Sequence, residues 1–248
     1  MDLKSGAETC GQINIMNDKT KKRRWFSKSG IFAIVCVLLL GGSVIIPALG
    51  PVVVLHTDVY RQNNLGVIAK AYLAYSITGK TPRIIAAKPG DTAHKAAYLL
   101  AKYTDLNDAS LYFIKSDPHA PKNIPKVILL DLEGTDTQRS INPEFLKSEL
   151  SFEIAANLSP NAPPTTTPVA WTRGLREDGT WSPDSPWGGG GGHIAYLDGH
   201  VEWADKLTLD GECFTIYATR PNAGKPTVNI REALPPGAVI LSAEPKGQ

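Results

Sequence analysis

The chain is poor in most of what would build a catalytic centre or a cross-linked exported domain. It has three cysteines in 248 residues. Cys10 and Cys36 precede the main body of the sequence, which leaves Cys213 by itself in that body, so no disulfide forms within it and its core must hold it together. Acid and base nearly balance, for a formal net charge of +2, and this gives no electrostatic case for a nucleic-acid partner. No G-x-S-x-G, H-E-x-x-H or C-x-x-C occurs. With none of these spacings, an enzyme is not the expected reading.

Charge is also missing from one long stretch. Ile31 to Leu55 runs 25 residues without a charged side chain. As a helix it reaches roughly 37 Å, against a bilayer hydrocarbon core of about 30 Å. Residues 1–30 hold seven basic side chains (Lys4, Lys19, Lys21, Lys22, Arg23, Arg24, Lys28) against three acidic ones. Basic residues crowded beside a span hold that flank in the cytoplasm, so the remainder is expected outside. A cleaved secretory signal competes, but such apolar cores run only about 7–15 residues and end at a small-residue site. Here Pro47 and Pro51 interrupt the run, and helical sequence follows it. The expected organisation is a cytoplasmic basic tail at 1–30, a transmembrane helix at 31–55, its extracytoplasmic continuation at 56–76 and a globular head at 77–248.

Within 56–76, Leu65, Ile68, Tyr72 and Tyr75 recur at steps of three and four, the stripe of an amphipathic helix. Thr78 to Pro82 is a breaker cluster. A second helix is expected over Thr92 to Lys102, capped by Asp91, with Ala93, Ala97 and Leu100 buried. Short apolar runs then read as strands at Ser110–Ile114, Lys126–Leu130, Ser151–Ala155 and Pro168–Trp171. The class is α+β with a mainly antiparallel sheet.

The densest local signal is Trp187 to Trp203, WGGGGGHIAYLDGHVEW. Asp198-Gly199 between apolar runs predicts a two-residue hairpin turn. That register puts Ile194, Tyr196, Val201 and Trp203 on a core face, and His193, Ala195, Leu197, His200 and Glu202 on the other. His193, His200 and Glu202 are then the candidate metal ligands, the basis for considering a metal-dependent hydrolase. The two histidines fall on the order of 13 Å apart at strand rise, too far to share one ion. No metal is therefore expected, and His193, Asp198, Gly199 and His200 are read as shaping the hairpin. Calcium is the one ion left to consider, on Asp184, Asp198 and Glu202 with loop carbonyls. The glycine run has neither the preceding strand nor the following helix of a phosphate loop. Trp171, Trp181 and Trp187 beside it are candidates for a binding surface, because stacking platforms need accessible rings.

A basic flank, an apolar run holding I-I-P-A-L (Ile45 to Leu49), N-N-L (Asn63 to Leu65), A-x-x-A-Y (Ala71 to Tyr75) and a late G-G-H-x-x-x-x-D-G-H-V-E-W (Gly191 to Trp203) occur in that order. S-D-P (Ser116 to Pro118) and P-V-A-W (Pro168 to Trp171) lie between. In this the chain resembles type IV pilin-like and type II secretion pseudopilin-like proteins of the prepilin type. The resemblance implies a pilin-like fold, with a long N-terminal helix, transmembrane then amphipathic, packed on the sheet. It further implies an anchor in the bacterial inner membrane, a periplasmic head and assembly with like or unlike pilin-like subunits. Processing after a glycine would fall between Gly30 and Ile31. The family's acidic fifth mature residue is missing, since Val35 stands there. The expected function is a structural subunit or accessory of a type II secretion or pilus-like assembly. The alternative is a monomeric anchored module that binds glycan or peptide through the tryptophan and glycine-rich loop.

Overall fold

A computed structural model describes residues 64–78, 84–88, 90–131, 139–210, 214–219 and 222–244. All of them lie in the compact unit that begins at Val54. The basic tail, the apolar run at 31–55 and the Gly30–Ile31 junction fall outside the described residues. Among those described, no helix is long and apolar enough to cross a membrane.

The fold is α+β and its sheets are antiparallel. Helix α1 covers residues 64–77. It buries Leu65, Ile68, Ala69, Tyr72 and Tyr75, the stripe that the periodicity predicts. Helix α2, Ala93–Thr104, buries Ala93, Ala96, Ala97 and Leu100. The two helices meet where the rings of Tyr75 and Tyr103 lie 5.8 Å apart.

Beyond them the chain forms β1 (Leu129–Asp131), β2 (Arg139–Ile141), α3 (Pro143–Lys147), β3 (Phe152–Ala156), β4 (Pro168–Thr172), β5 (Gly192–Tyr196) and β6 (Val201–Ala204). It closes with β7 (Ile216–Tyr217), β8 (Pro226–Thr227), α4 (Ile230–Ala233) and β9 (Val239–Leu241). Five strands make the central sheet in the order β6-β5-β4-β3-β9, while β1 with β2 and β7 with β8 make two small ribbons.

Directly opposed residues share a sheet face. Phe152 opposes Thr172, Ile154 opposes both Ala170 and Leu241, and Ala195 opposes Val201. This is the face that α1 covers, since a side chain at Gly66 would stand 3.4 Å from the Val201 methyl. The other face carries Glu153 opposite Trp171, Ile194 opposite Glu202, and Ile240.

Three expectations need correction. Asp91 does not cap α2: its carboxylate accepts from the Lys88 amide and pairs with Lys95 at 2.6 Å. The N-cap is Thr92, and the Ala93 amide is satisfied by the Ser242 carbonyl at 2.8 Å, from the far end of the chain. Ser110–Ile114 is not a strand either. Asp108 accepts from the Ser110 amide and starts a 3-10 turn over Ala109–Tyr112, because a short side-chain acceptor competes well with strand pairing. Of Lys126–Leu130 only the end enters a strand, and Asn107 holds Leu129 through both its amide and its carbonyl.

His94 is buried in α2. Its Nε2 donates to the Ser148 carbonyl at 2.8 Å, and Nδ1 lies 3.1 Å from the Thr92 hydroxyl. Burial holds its pKa below the ordinary 6.5, although the backbone hydrogen bonds act the other way. The unfolded chain therefore takes up a proton that the folded chain refuses, and stability must be full above pH 6.5 and fall below it. Thermal midpoints measured between about pH 8 and pH 5 are expected to drop on the acid side, and less so in His94→Asn. For α1, Ile68→Ala is expected to cost about 2–5 kcal/mol in denaturant unfolding. Ile77→Ala, at a position 70% exposed, should stay within about 0.5 kcal/mol.

Candidate functional site

The β5–β6 hairpin that the sequence singles out is built on a three-residue turn, not a two-residue one. The Tyr196 amide donates to the His200 carbonyl at 3.0 Å, and the Gly199 amide to the Tyr196 carbonyl at 2.9 Å. Leu197, Asp198 and Gly199 are the loop, and Gly199 alone of the three takes positive φ, at 90°. This is a type I turn closed by a glycine bulge, and Asp-Gly suits it as well as it suits the shorter turn. The tip is fastened to the preceding loop by Leu197 N to Thr167 O at 3.0 Å and Asp198 N to Pro164 O at 3.1 Å.

One added loop residue slips β6 by one position, which exchanges its faces. Val201 and Trp203 therefore join Ala195 and His193, not Ile194 and Tyr196. Glu202 joins Ile194. The grouping of His193, His200 and Glu202 is overturned: His193 opposes Trp203, and Glu202 lies across the sheet from it.

His193 is 1% exposed. Its ring stands 4.8 Å from that of Trp203 and 5.1 Å from that of Trp187, and the two indoles are 5.1 Å apart, all edge to face. His200 is at the surface instead. Its Nδ1 meets Asp198 Oδ1 at 2.5 Å, its amide donates to the same oxygen, and its ring stacks on Tyr196 at 4.2 Å. Burial, with Glu202 and Asp198 nearby, pushes the Tyr196 phenol well above its ordinary value. Among the described residues no group of three His, Cys, Asp or Glu is arranged to hold a metal.

The tryptophans do not form an exposed platform. Trp171 is 0% exposed and Trp181 3%. The Trp181 ring occupies the place of a side chain at Gly192, where an added Cβ would come within 2.5 Å of it, and its Nε1 donates to the Ala204 carbonyl at 3.0 Å. Trp187 is half-buried against His193. The glycine run is thus what lets indole rings lie on the backbone, and the expectation of an accessible stacking surface at these three residues is corrected.

A buried polar chain was not anticipated from sequence. Arg173, just after β4, pairs with Asp117 at 2.5 Å and with Glu149 at 3.2 Å. The Ser151 hydroxyl donates to Asp117 Oδ2 at 2.7 Å, and His119 Nδ1 lies 2.7 Å from Glu149 Oε2. Ser151 is fully buried and bonds an aspartate, with the histidine ring four links away. The series reads Ser151, Asp117, Arg173, Glu149, His119, so no base addresses the hydroxyl as nucleophilic catalysis requires. The chain ties 115–126 to the sheet. Its only trace in the sequence is Asp117 of the S-D-P motif.

Beside the hairpin tip an apolar groove of about 400 Å³ is lined by Tyr72, Leu73 and Ile77 of α1, by Leu158 and Ala162, and by Leu197. Comparison with protein-family models, with curated proteins and with solved structures finds no match to this chain.

The two histidines should behave differently on removal. His193→Ala, which empties the space between two indoles, is expected to cost roughly 2–4 kcal/mol. His200→Ala removes a surface contact and should cost less than about 1 kcal/mol. Denaturant unfolding of the two variants checks the face assignment, since the two-residue turn would place both histidines on the same outer face.

Proposed function

We propose that the chain is a non-enzymatic, membrane-anchored structural subunit of pilin-like architecture, an accessory or component of a type II secretion or pilus-like assembly. The observation that supports it best is the burial of Leu65, Ile68, Tyr72 and Tyr75 against an antiparallel sheet, by a helix that follows the apolar run Ile31 to Leu55 in sequence. In this reading the apolar run is the inner-membrane anchor, residues 1–30 are cytoplasmic and the head is periplasmic. The partners are further pilin-like subunits.

Two features favour a scaffold over the alternative binding module. Trp171 and Trp181 are spent on the core, and the glycine run is spent on receiving indole rings. The lack of an acid in Ile31 to Leu55 removes the charge that prepilin-type subunits present to a neighbour's new amino terminus. The anchor is accordingly read as uncleaved.

The mature mass of the protein taken from its native membrane tests both points. An intact chain that includes Met1 and stays with the membrane through alkaline extraction is expected. A start at Ile31 carrying an added methyl would restore prepilin processing, and recovery of the whole chain in the soluble fraction would end the anchored reading.

A further inference from the structure

A cavity of about 310 Å³ opens on the sheet face opposite α1, between β3, β9, the loop after β4 and α4. It is separate from the hairpin, the apolar groove and the buried Arg173 series. Leu175, Ile230 and Ile240 supply apolar lining, while Glu153, Glu177, Arg176 and Arg231 supply charge. At roughly 30 Å³ per water the space equals about ten water molecules, enough for a small organic molecule.

Glu153 is the unusual member. It sits in the middle of β3, directly opposite Trp171, whose Nε1 donates to its Oε2 at 2.8 Å. Among the described residues its other oxygen has no protein partner. Burial is the strongest influence on this carboxyl and holds it above the ordinary carboxylate range; Glu244 adds to that, while the Trp171 hydrogen bond and the charges of Arg231 and Arg173 oppose it.

The arginines come from two different segments. Arg231 Nε lies 3.4 Å from Glu177 Oε1 in an exposed pair, and Arg176 makes no ion pair among the described residues. The cavity thus sets the carboxyl groups of Glu153 and Glu177 beside the two guanidinium groups, with Asp178 close enough to act on Arg176 and Glu244 on Glu153. That setting suits a monoanion and disfavours phosphate or sulfate, whose greater charge the carboxyl groups would repel. Planar guanidinium forks match carboxylate oxygens, and the apolar walls suit a carbon body.

We propose that this cavity binds a small organic carboxylate, received by Arg176 and Arg231 beside Glu153. The site does not depend on whether the chain assembles with other subunits.

Full-length protein in detergent, titrated calorimetrically at about pH 5.5 with D-glucuronate, D-glucose and D-glucosamine, separates the charge classes at nearly constant size. Glucuronate is expected to bind at least about tenfold more tightly than the other two. Arg231→Ala and Arg176→Ala should each weaken it by roughly tenfold, with unchanged circular dichroism. Glu153→Gln should retain binding, because the amide carries no charge while its oxygen still accepts from Trp171. Wild-type affinity should fall as pH rises and Glu153 ionises, and Glu153→Gln should lose that dependence. No heat with millimolar glucuronate, equal binding of the three sugars, a preference for glucosamine, or undiminished binding in both arginine variants would overturn the proposal.

Discussion

The three-residue turn at Leu197–Asp198–Gly199 decides what each face of the outer sheet holds. Because side chains alternate with period two, one residue more or less in a hairpin loop sends every side chain of the following strand to the opposite face. With this turn, Val201 meets α1 at Gly66 and Trp203 closes on His193. With the two-residue turn, Glu202 and His200 would be driven into that apolar contact, at the several kcal/mol that burying unpaired polar groups costs. Lys70 of α1 lies over Gly199, where a Cβ would meet its side chain at 2.7 Å. Helix, turn and register therefore specify one another.

The long connection from β4 to β5 shows how proline- and glycine-rich sequence acquires structure without strands or helices of its own. It doubles back at once, with Ser182 N to Gly174 O at 2.7 Å and Arg176 N to Thr180 O at 2.8 Å. Trp181 then comes down on one face of β5 and Trp187 on the other. Arg173 anchors its beginning through Asp117 and Glu149. A buried ion pair of this kind adds little net stability over a well-packed apolar replacement, but loss of one partner strands the other charge at a cost of about 3–5 kcal/mol. Its effect is to fix where the loop starts.

What was legible in the sequence is what repeats over a long window or is bounded by breakers. The α1 stripe spans three turns, and β3 and β4 stand within a residue of their expected limits because Asn, Pro and Gly flank them. Short-range signals that serve two geometries misled. Asp198-Gly199 fits either of two hairpin loops, and Asp108 can cap a turn as readily as it can end a strand. Long-range pairing left no local sign. Nothing near α2 announces that Ser242 satisfies its first amide, and nothing within Ser151 to Ala155 announces that Trp171 across the strand and α4 from far along the chain enclose Glu153.

That last residue also bears on why the two faces of the sheet differ. The face toward α1 is apolar and sealed, as a core requires, and Phe152, Ile154, Ala170 and Ala195 are all at most 1% exposed. The opposite face could have been finished the same way at position 153, where Val or Ile would fit a strand and remove the desolvation cost of a carboxyl. The Trp171 hydrogen bond offsets part of that cost and leaves one oxygen over a cavity with arginines at its rim. A local choice that works against folding while the surrounding choices favour it marks a position shaped by something other than stability. Packing accounts for His193, Trp171, Trp181 and Gly192, and it does not account for Glu153.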